Sequence, residues 1–155
     1  MAVGDILKEA NLVVETFTIK ASEDIEKGEL CYDDGNGLLA ATAAVGAITK
    51  CVMALETRVY VTDTTNGKAH TVPCVVKGFV IAQKVSGSGA ANLLDKLMIS
   101  GTTGEVAKFV VGDTTGTVNQ STVNAAALVN LDVVGFATKA SASGDVVQEM
   151  FLGGI

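Results

Sequence analysis

Short apolar runs rich in β-branched residues, separated by turns that contain glycine, constrain the fold of this chain more than any other feature. Glycine occurs 17 times and proline once, which favours tight turns between strands over a disordered linker. The clearest runs are residues 12–19, 71–82, 133–138 and 146–152. Turns recur about every 8–12 residues, the spacing of a sandwich or barrel. We therefore expect an all-β chain, or a mainly β chain with one or two short helical turns, folded as a compact barrel- or sandwich-like single domain.

Two pairs of segments resemble each other within the chain. Residues 30–40 and 97–107 each contain an apolar triplet, a five-residue turn and a second short run, and residues 76–79 resemble residues 133–136. This similarity predicts repeated strand–turn–strand units inside one domain, too irregular for a solenoid. It also predicts that Phe79 and Phe136 are buried at equivalent places. Four glycines are expected in turns with positive φ: Gly35, Gly37, Gly67 and Gly104.

Other segments are predicted from weaker patterns. Residues 50–55, 57–62 and 105–111 are typical of further strands. Residues 90–94 and the alanine-rich residues 123–129 favour short helical turns.

Composition excludes several classes of function. The formal net charge is −6, so phosphate backbones repel the chain and a nucleic-acid partner is not expected. The apolar runs are far shorter than the roughly 20 residues of a membrane helix, so no membrane partner is expected. The first ten residues carry Asp5, Lys8 and Glu9 rather than the basic and apolar regions of a signal peptide, which predicts synthesis in a cytoplasm.

The residue types do not form a catalytic or metal-binding constellation. His70 is the only histidine and is predicted to be an ordinary strand residue. The acidic turn at residues 33–37 lacks the ligand spacing of a calcium loop, so a hairpin turn is expected there. Cys31, Cys51 and Cys74 are odd in number and widely spaced, as expected of small buried apolar residues. We expect no enzymatic activity, no cofactor and no bound metal.

One arrangement recurs along the chain: a polar residue and glycine before a short strand, a glycine-containing turn, and a Gly-Phe step. It is present in residues 26–33 and 37–40, in residues 78–82, and in residues 135–137, 143–147 and 150–155. In this respect the chain resembles the capsid cement proteins of tailed bacteriophages and related viruses, and more loosely the lambda-type head-decoration proteins. The resemblance covers most of residues 16–155.

The resemblance implies a structural virion protein rather than an enzyme. Such proteins form trimers on the outer surface of the expanded head, where they clamp neighbouring major capsid subunits against internal pressure. The implied partners are therefore the major capsid protein and further copies of the chain.

An N-terminal arm that adds a strand to the shell is a further implication of the resemblance. In this chain residues 1–11 are the candidate arm and residues 12–155 the decoration domain. The alternative, that the arm residues pack on their own domain or on a neighbouring subunit, stays open. Six apolar residues are the candidate capsid contacts: Val3, Ile6, Leu7, Leu12, Val13 and Val14.

A second function class remains, a non-enzymatic ligand-binding β module such as a carbohydrate-binding surface domain. Such sites usually present aromatic side chains as platforms. The chain has two tyrosines, five phenylalanines and no tryptophan, and most of these aromatic residues lie in strand-like runs.

Overall fold

Nine antiparallel strands and one short helix make up the part of the chain that the computed structural model describes, which is residues 2–41, 50–100, 102–109 and 133–153. The elements are β1 (Ile6–Thr18), β2 (Leu30–Asp33), β3 (Leu38–Ala40), β4 (Val52–Ala54), α1 (Tyr60–Thr65), β5 (Thr71–Gln83), β6 (Lys96–Ile99), β7 (Val106–Lys108), β8 (Val133–Ala137) and β9 (Val147–Leu152). The strands form one curled sheet, a half-barrel in a single compact domain. The expected mainly β fold is confirmed.

The long strand β5 organises the sheet. Its residues Val75 and Val80 each pair with two strands, and β1 is one of the two in both cases. Since a strand has two edges, β1 runs along one edge, while β4 and then β9 share the other. The order through the sheet is β3-β2-β4-β5-β9-β8-β6-β7. The two halves of β5 thus lead to different groups of strands.

The first predicted similarity corresponds to two equivalent hairpins, β2–β3 and β6–β7. Each hairpin is approached by a segment that makes a single parallel bridge to its second strand, Ile19 to Leu38 and Lys84 to Val106. Ile19 and Lys84 are both buried, and the Lys84 ammonium donates a hydrogen bond to the carbonyl oxygen of Ala142 at 2.7 Å. The repeated strand–turn–strand units are therefore present.

The second similarity places its two segments on either side of β9. Gly78 and Gly135 both pair with Leu152, and Phe79 and Phe136 both pair with Phe151. The two phenylalanines thus occupy equivalent places, as predicted, but both are only partly buried, so the prediction that they are buried is wrong. The four glycines predicted in turns between strands all have positive φ, 92° at Gly35, 128° at Gly37, 63° at Gly67 and 77° at Gly104, but the turn at Gly67 follows helix α1 rather than a strand.

A four-residue turn closed by a carboxylate occurs at residues 2–5, 26–29, 92–95 and 142–145. In each turn the first N–H donates to the side-chain carboxylate of the fourth residue, at 2.6 to 2.8 Å. The fourth N–H in return donates to the first carbonyl oxygen. The third residues of the first three turns, Gly4, Gly28 and Leu94, have positive φ and donate their N–H to a neighbouring strand. We call these the carboxylate-closed turns. The helical turn predicted at residues 90–94 is wrong, because this segment is not helical and leads into the third of them.

Leu94 is the strained member of this group. Its φ is 69°, where the two equivalent residues are glycine, and it is 67% exposed. A left-handed conformation costs a side chain about 1–2 kcal/mol, whereas glycine loses about 0.5–1 kcal/mol through chain entropy. We expect Leu94→Gly to stabilise the fold by about 0.5–1 kcal/mol in urea denaturation. The matched change Leu93→Gly, at an exposed neighbour without positive φ, should destabilise it, and the same sign for both variants would contradict the strain.

Two apolar clusters form the core. The larger, here the first core cluster, includes Leu30, Met53, Val80, Leu97 and Met150, all fully buried. The second core cluster contains Ile19, Ile25, Cys31, Val52, Val72 and Cys74 among its members. Burial raises the pKa of the Cys74 thiol to about 12 and also raises the pKa of Cys31. These two cysteines are therefore small apolar core residues, as predicted, while Cys51 is partly buried.

The strand predicted at residues 57–62 is wrong, because helix α1 begins at Tyr60. A contact distant in sequence explains the difference: the Tyr60 N–H donates to Asp24 Oδ1 at 2.7 Å. The Thr64 hydroxyl adds a hydrogen bond to the Tyr60 carbonyl oxygen at 2.8 Å. The helical turn predicted at residues 123–129 and part of the strand predicted at 105–111 lie outside the described residues.

Candidate interaction surface on the first strand

The outer edge of β1 is the candidate functional site. Within the described ranges β1 pairs with β5 alone, so the backbone groups on its other edge have no strand partner. None of its 13 residues is fully buried. An unpaired strand edge is a template on which another chain can add a strand.

Three of the six candidate contact residues are exposed on β1. Ile6 is 37% exposed, and Val13 and Val14 are each 42% exposed. Val14 begins a regular stretch in which residues 14–18 pair one by one with β5, and a register shift separates it from Val13. Lys8, Glu9 and Glu15 place charges along the same strand, a pattern that limits unspecific edge pairing.

The other three candidates are held against the domain itself. Val3 packs on Gly28, where an added Cβ would lie 2.0 Å from Val3 Cγ1. Leu12 packs against the first core cluster, with its Cδ1 2.9 Å from the place of a Cβ on Gly78. Leu7 is partly buried. All six candidates are apolar residues near the start of the chain, so the sequence alone does not distinguish Val3, Leu7 and Leu12 from the three exposed residues.

A large bulge explains why Leu12 turns inward. Lys8 pairs with Phe79 and Val13 with Lys77, so residues 9–12 of β1 stand against the single residue Gly78. Asn11 has a φ of 60° within this bulge, and Gly78 has a φ of 153°. Because Gly78 carries no side chain, the extra residues can place Leu12 over the sheet.

The first residues of the chain are attached to the domain. Gly4 N–H donates to the Ile81 carbonyl oxygen at 2.8 Å, and Ile81 N–H donates to the Asp5 carbonyl oxygen at 3.0 Å. The Lys27 ammonium lies 3.2 Å from Asp5 Oδ1. Strand β1 then starts at Ile6 and crosses the boundary suggested between residues 11 and 12. In the structure the candidate arm therefore packs on its own domain, which is the alternative that the sequence left open.

Asp5 should make this attachment sensitive to acid. The hydrogen bond from Ala2 N–H, and then Lys27, lower the pKa of Asp5 below its ordinary value of 3.8. A lowered pKa means that the carboxylate stabilises the fold above pH 3.8 and that this contribution is lost as the pH falls through the lower, folded-state value. We expect hydrogen exchange at Gly4 N–H, corrected for the intrinsic rate, to lose protection in that acid range.

The variant Asp5→Asn is the control for this prediction. Its amide oxygen can accept from Ala2 N–H at any pH but does not titrate, so its protection at Gly4 should not show the additional acid step. An equal acid step in the variant would assign the effect to other groups.

One polar cluster was not predicted from the sequence. His70 Nδ1 lies 2.8 Å from Asp63 Oδ2, and His70 Nε2 lies 2.8 Å from the Glu23 carbonyl oxygen. Arg58 Nε donates to the same Asp63 oxygen at 3.2 Å, and the hydrogen bond from His70 is the largest of the causes that lower the pKa of Asp63. His70 lies just before β5 and joins residue 23 to α1, so it is more than the ordinary strand residue expected. Its Nε2 is occupied by a carbonyl, and the cluster is suited to fixing loops.

The acidic turn after β2 uses its carboxylates internally. Asp33 Oδ1 accepts from Gly35 and Gly37 N–H, and Asp34 accepts from Asn36 N–H and from Lys20. This is the hairpin turn that was expected.

Among the described residues no group of three or more histidine, cysteine or acidic side chains could hold a metal ion. In the same ranges no helix is long and apolar enough to cross a membrane.

A cavity of about 630 Å³ lies beside β1. Its lining includes Glu15 and Phe17 of β1, Tyr32 of β2 and Lys77 of β5.

A comparison of the chain with known protein families and with curated proteins found no match.

Proposed function

We propose that this chain is a structural virion protein that binds the outer surface of an expanded viral capsid as a homotrimer and stabilises it by clamping neighbouring major capsid subunits. The resemblance to capsid cement proteins suggests this role. The observation that carries it in the structure is the 13-residue strand β1, whose outer edge lacks a strand partner in the described part of the chain and exposes Val13 and Val14.

Strand addition at this edge would supply affinity without a chemical motif. A segment of the capsid protein that lies along β1 would pair with its outward N–H and carbonyl groups, and the exposed valines would add apolar burial. Residues 14–18 are the best part of the edge for such pairing because their register with β5 is regular. A trimer would present three such edges on one body, so that modest contacts act together.

The alternative is a carbohydrate-binding module. Sugar sites usually need flat aromatic surfaces that a ring can lie against. The rings of Phe79 and Phe151 cross at 67°, so these two do not form one flat platform, whereas those of Phe136 and Phe151 are inclined by only 24°.

The test uses expanded heads of the virus or prophage that encodes the chain. We expect the double variant Val13→Lys, Val14→Lys to bind heads at least about tenfold more weakly than the unchanged protein, because charge at the edge opposes burial. Heads that carry the variant should also rupture at lower temperature. Both residues are exposed, so the urea midpoint of the free protein should hardly change.

The matched control is Val61→Lys on α1, where the valine is 69% exposed. It introduces the same chemical change away from β1 and should leave head binding intact. Failure of the unchanged protein to bind heads would overturn the proposed function. Equal binding by the double variant would move the contact away from β1.

A further inference from the structure

Three phenylalanines form a row across neighbouring strands, here called the phenylalanine row: Phe79 of β5, Phe151 of β9 and Phe136 of β8. Their ring centroids are 4.8 Å apart for Phe79 and Phe151, and 5.4 Å apart for Phe136 and Phe151. The strand register aligns the three residues, since Phe151 on β9 pairs with Phe79 on one side and with Phe136 on the other.

The row lies on the face of the sheet that points away from the first core cluster. Met150 and Leu152 belong to that cluster, as do Val80 and Ala137, the residues after Phe79 and Phe136. Because neighbouring side chains on a strand point to opposite faces, all three rings point the other way. Phe79 and Phe136 remain partly exposed. Phe151 between them is 8% exposed. Three of the five phenylalanines of the chain thus lie outside the first core cluster.

Lysines border the row. The Lys8 ammonium lies 5.0 Å from the centre of the Phe79 ring, and the Lys77 ammonium lies 6.0 Å from that of Phe151. Lys96 pairs with Phe136 at the far end. Among the described residues none of these three lysines forms an ion pair with a carboxylate. Five other basic residues do: Lys20, Lys27, Arg58, Lys108 and Lys139.

We propose that the phenylalanine row and its bordering lysines are the surface through which one copy of this chain contacts an acidic surface of a second copy. This inference rests on the self-association that is part of the proposed function. Protein interfaces are enriched in aromatic residues at their centre and carry polar groups at their rim, which is the arrangement of the row. Charge complementarity favours a second copy as the partner. Each copy has 17 acidic and 11 basic residues, so its net charge is negative and attracts the lysines of the row.

The contact would join two different patches, because a basic surface cannot pair with itself. Such a head-to-tail contact closes into a ring when its rotation permits, and a trimer is the ring that the proposed function requires. Aromatic rings that become shielded from water at the contact would supply most of the affinity, and the lysines would select an acidic partner surface.

The experiment is sedimentation equilibrium of the full chain over a range of concentrations. The unchanged protein should form an assembly with the mass of a trimer, three times the 15.8 kDa of one chain. Lys77→Glu should raise its dissociation constant about tenfold or more, since a like charge then meets the acidic surface. Lys68→Glu is the matched control: it changes the net charge equally, at an exposed residue between α1 and β5, and should leave the mass unchanged. Raising the salt to about 1 M, where the screening length is about 3 Å, should weaken the assembly.

Several outcomes overturn the inference. A monomer at all concentrations, or equal effects of the two lysine variants, would do so. If Lys77→Glu kept its mass but no longer bound expanded heads, the row would contact the shell instead, and the proposed function would stand without this inference. If the unchanged protein assembled through the row but did not bind heads, the inference would stand and the proposed function would fall.

Discussion

Replacing either Leu30 or Leu97 by alanine is expected to lower the free energy of unfolding by about 3–4 kcal/mol. Leu30 is the first residue of β2 and Leu97 the second residue of β6, the first strands of the two equivalent hairpins, and neither has any solvent exposure. Both belong to the first core cluster, where a deleted side chain leaves a cavity that the sheet cannot close. Urea denaturation of the two variants measures the loss.

Leu93→Ala is the control for these two variants. Leu93 is 61% exposed in a turn, so the same change should alter the stability by less than about 0.5 kcal/mol. A small effect at Leu30 with a large one at Leu97 would show that only one of the hairpins depends on the shared core. Small effects at both would contradict the core as described.

Gly135→Ala is the second change with a large expected effect. An added Cβ would lie 2.0 Å from the Phe151 carbonyl oxygen and 2.8 Å from Met150 Cε. The carbonyl belongs to β9, which is paired on both sides and cannot move without disturbing β5. We expect a loss of about 3 kcal/mol or more, visible as a lower urea midpoint.

Gly144→Ala provides the comparison for this change. No atom lies within 4 Å of a Cβ built on Gly144, and its φ is not in the left-handed region. Its stability should stay within about 0.5 kcal/mol of the unchanged protein. Equal stability of the two alanine variants would show that β8 and β9 do not approach as closely at Gly135 as described.

The strands were predictable where local pattern and final environment agree. Residues 71–82 alternate or run apolar, and β5 is buried in the middle of the sheet; residues 133–138 and 146–152 became β8 and β9 in the same way. The hairpins were predictable because glycine at residues 37 and 104 allows a backbone conformation that other residues avoid. These are properties of a few neighbouring residues.

The errors concern contacts between distant parts of the chain. Residues 57–62 look like a strand, and α1 replaces it because Asp24 accepts the Tyr60 N–H. Phe79 and Phe136 look like core residues by hydrophobicity. The face of the sheet that they occupy is decided instead by the bulge opposite Gly78 and by the alternation of side chains along each strand. The ion pairs of Asp63 with Arg58 and His70 form only in the folded chain, and no sequence pattern around the three residues indicates that they meet.

The candidate site was predicted in part. Its six residues were chosen for apolar character near the start of the chain, and Ile6, Val13 and Val14 are exposed on β1. Val3 and Leu12 instead contact places where Gly28 and Gly78 leave room, and this depends on partners 25 and 66 residues away. No pattern within the first 14 residues contains that information.

The pairing of β1 with β5 sets an order for folding. Its partners are separated by 53 residues at Thr18 and Thr71 and by 74 residues at Ile6 and Val80, whereas the two hairpins join strands across short turns. Closing a short loop loses less chain entropy, so the hairpins should form early and β1 should dock late. Since none of the β1 residues is fully buried, β1 is also the strand that we expect to open first when the sheet fluctuates. A newly made chain would then complete its hairpins before the edge proposed for partner binding exists.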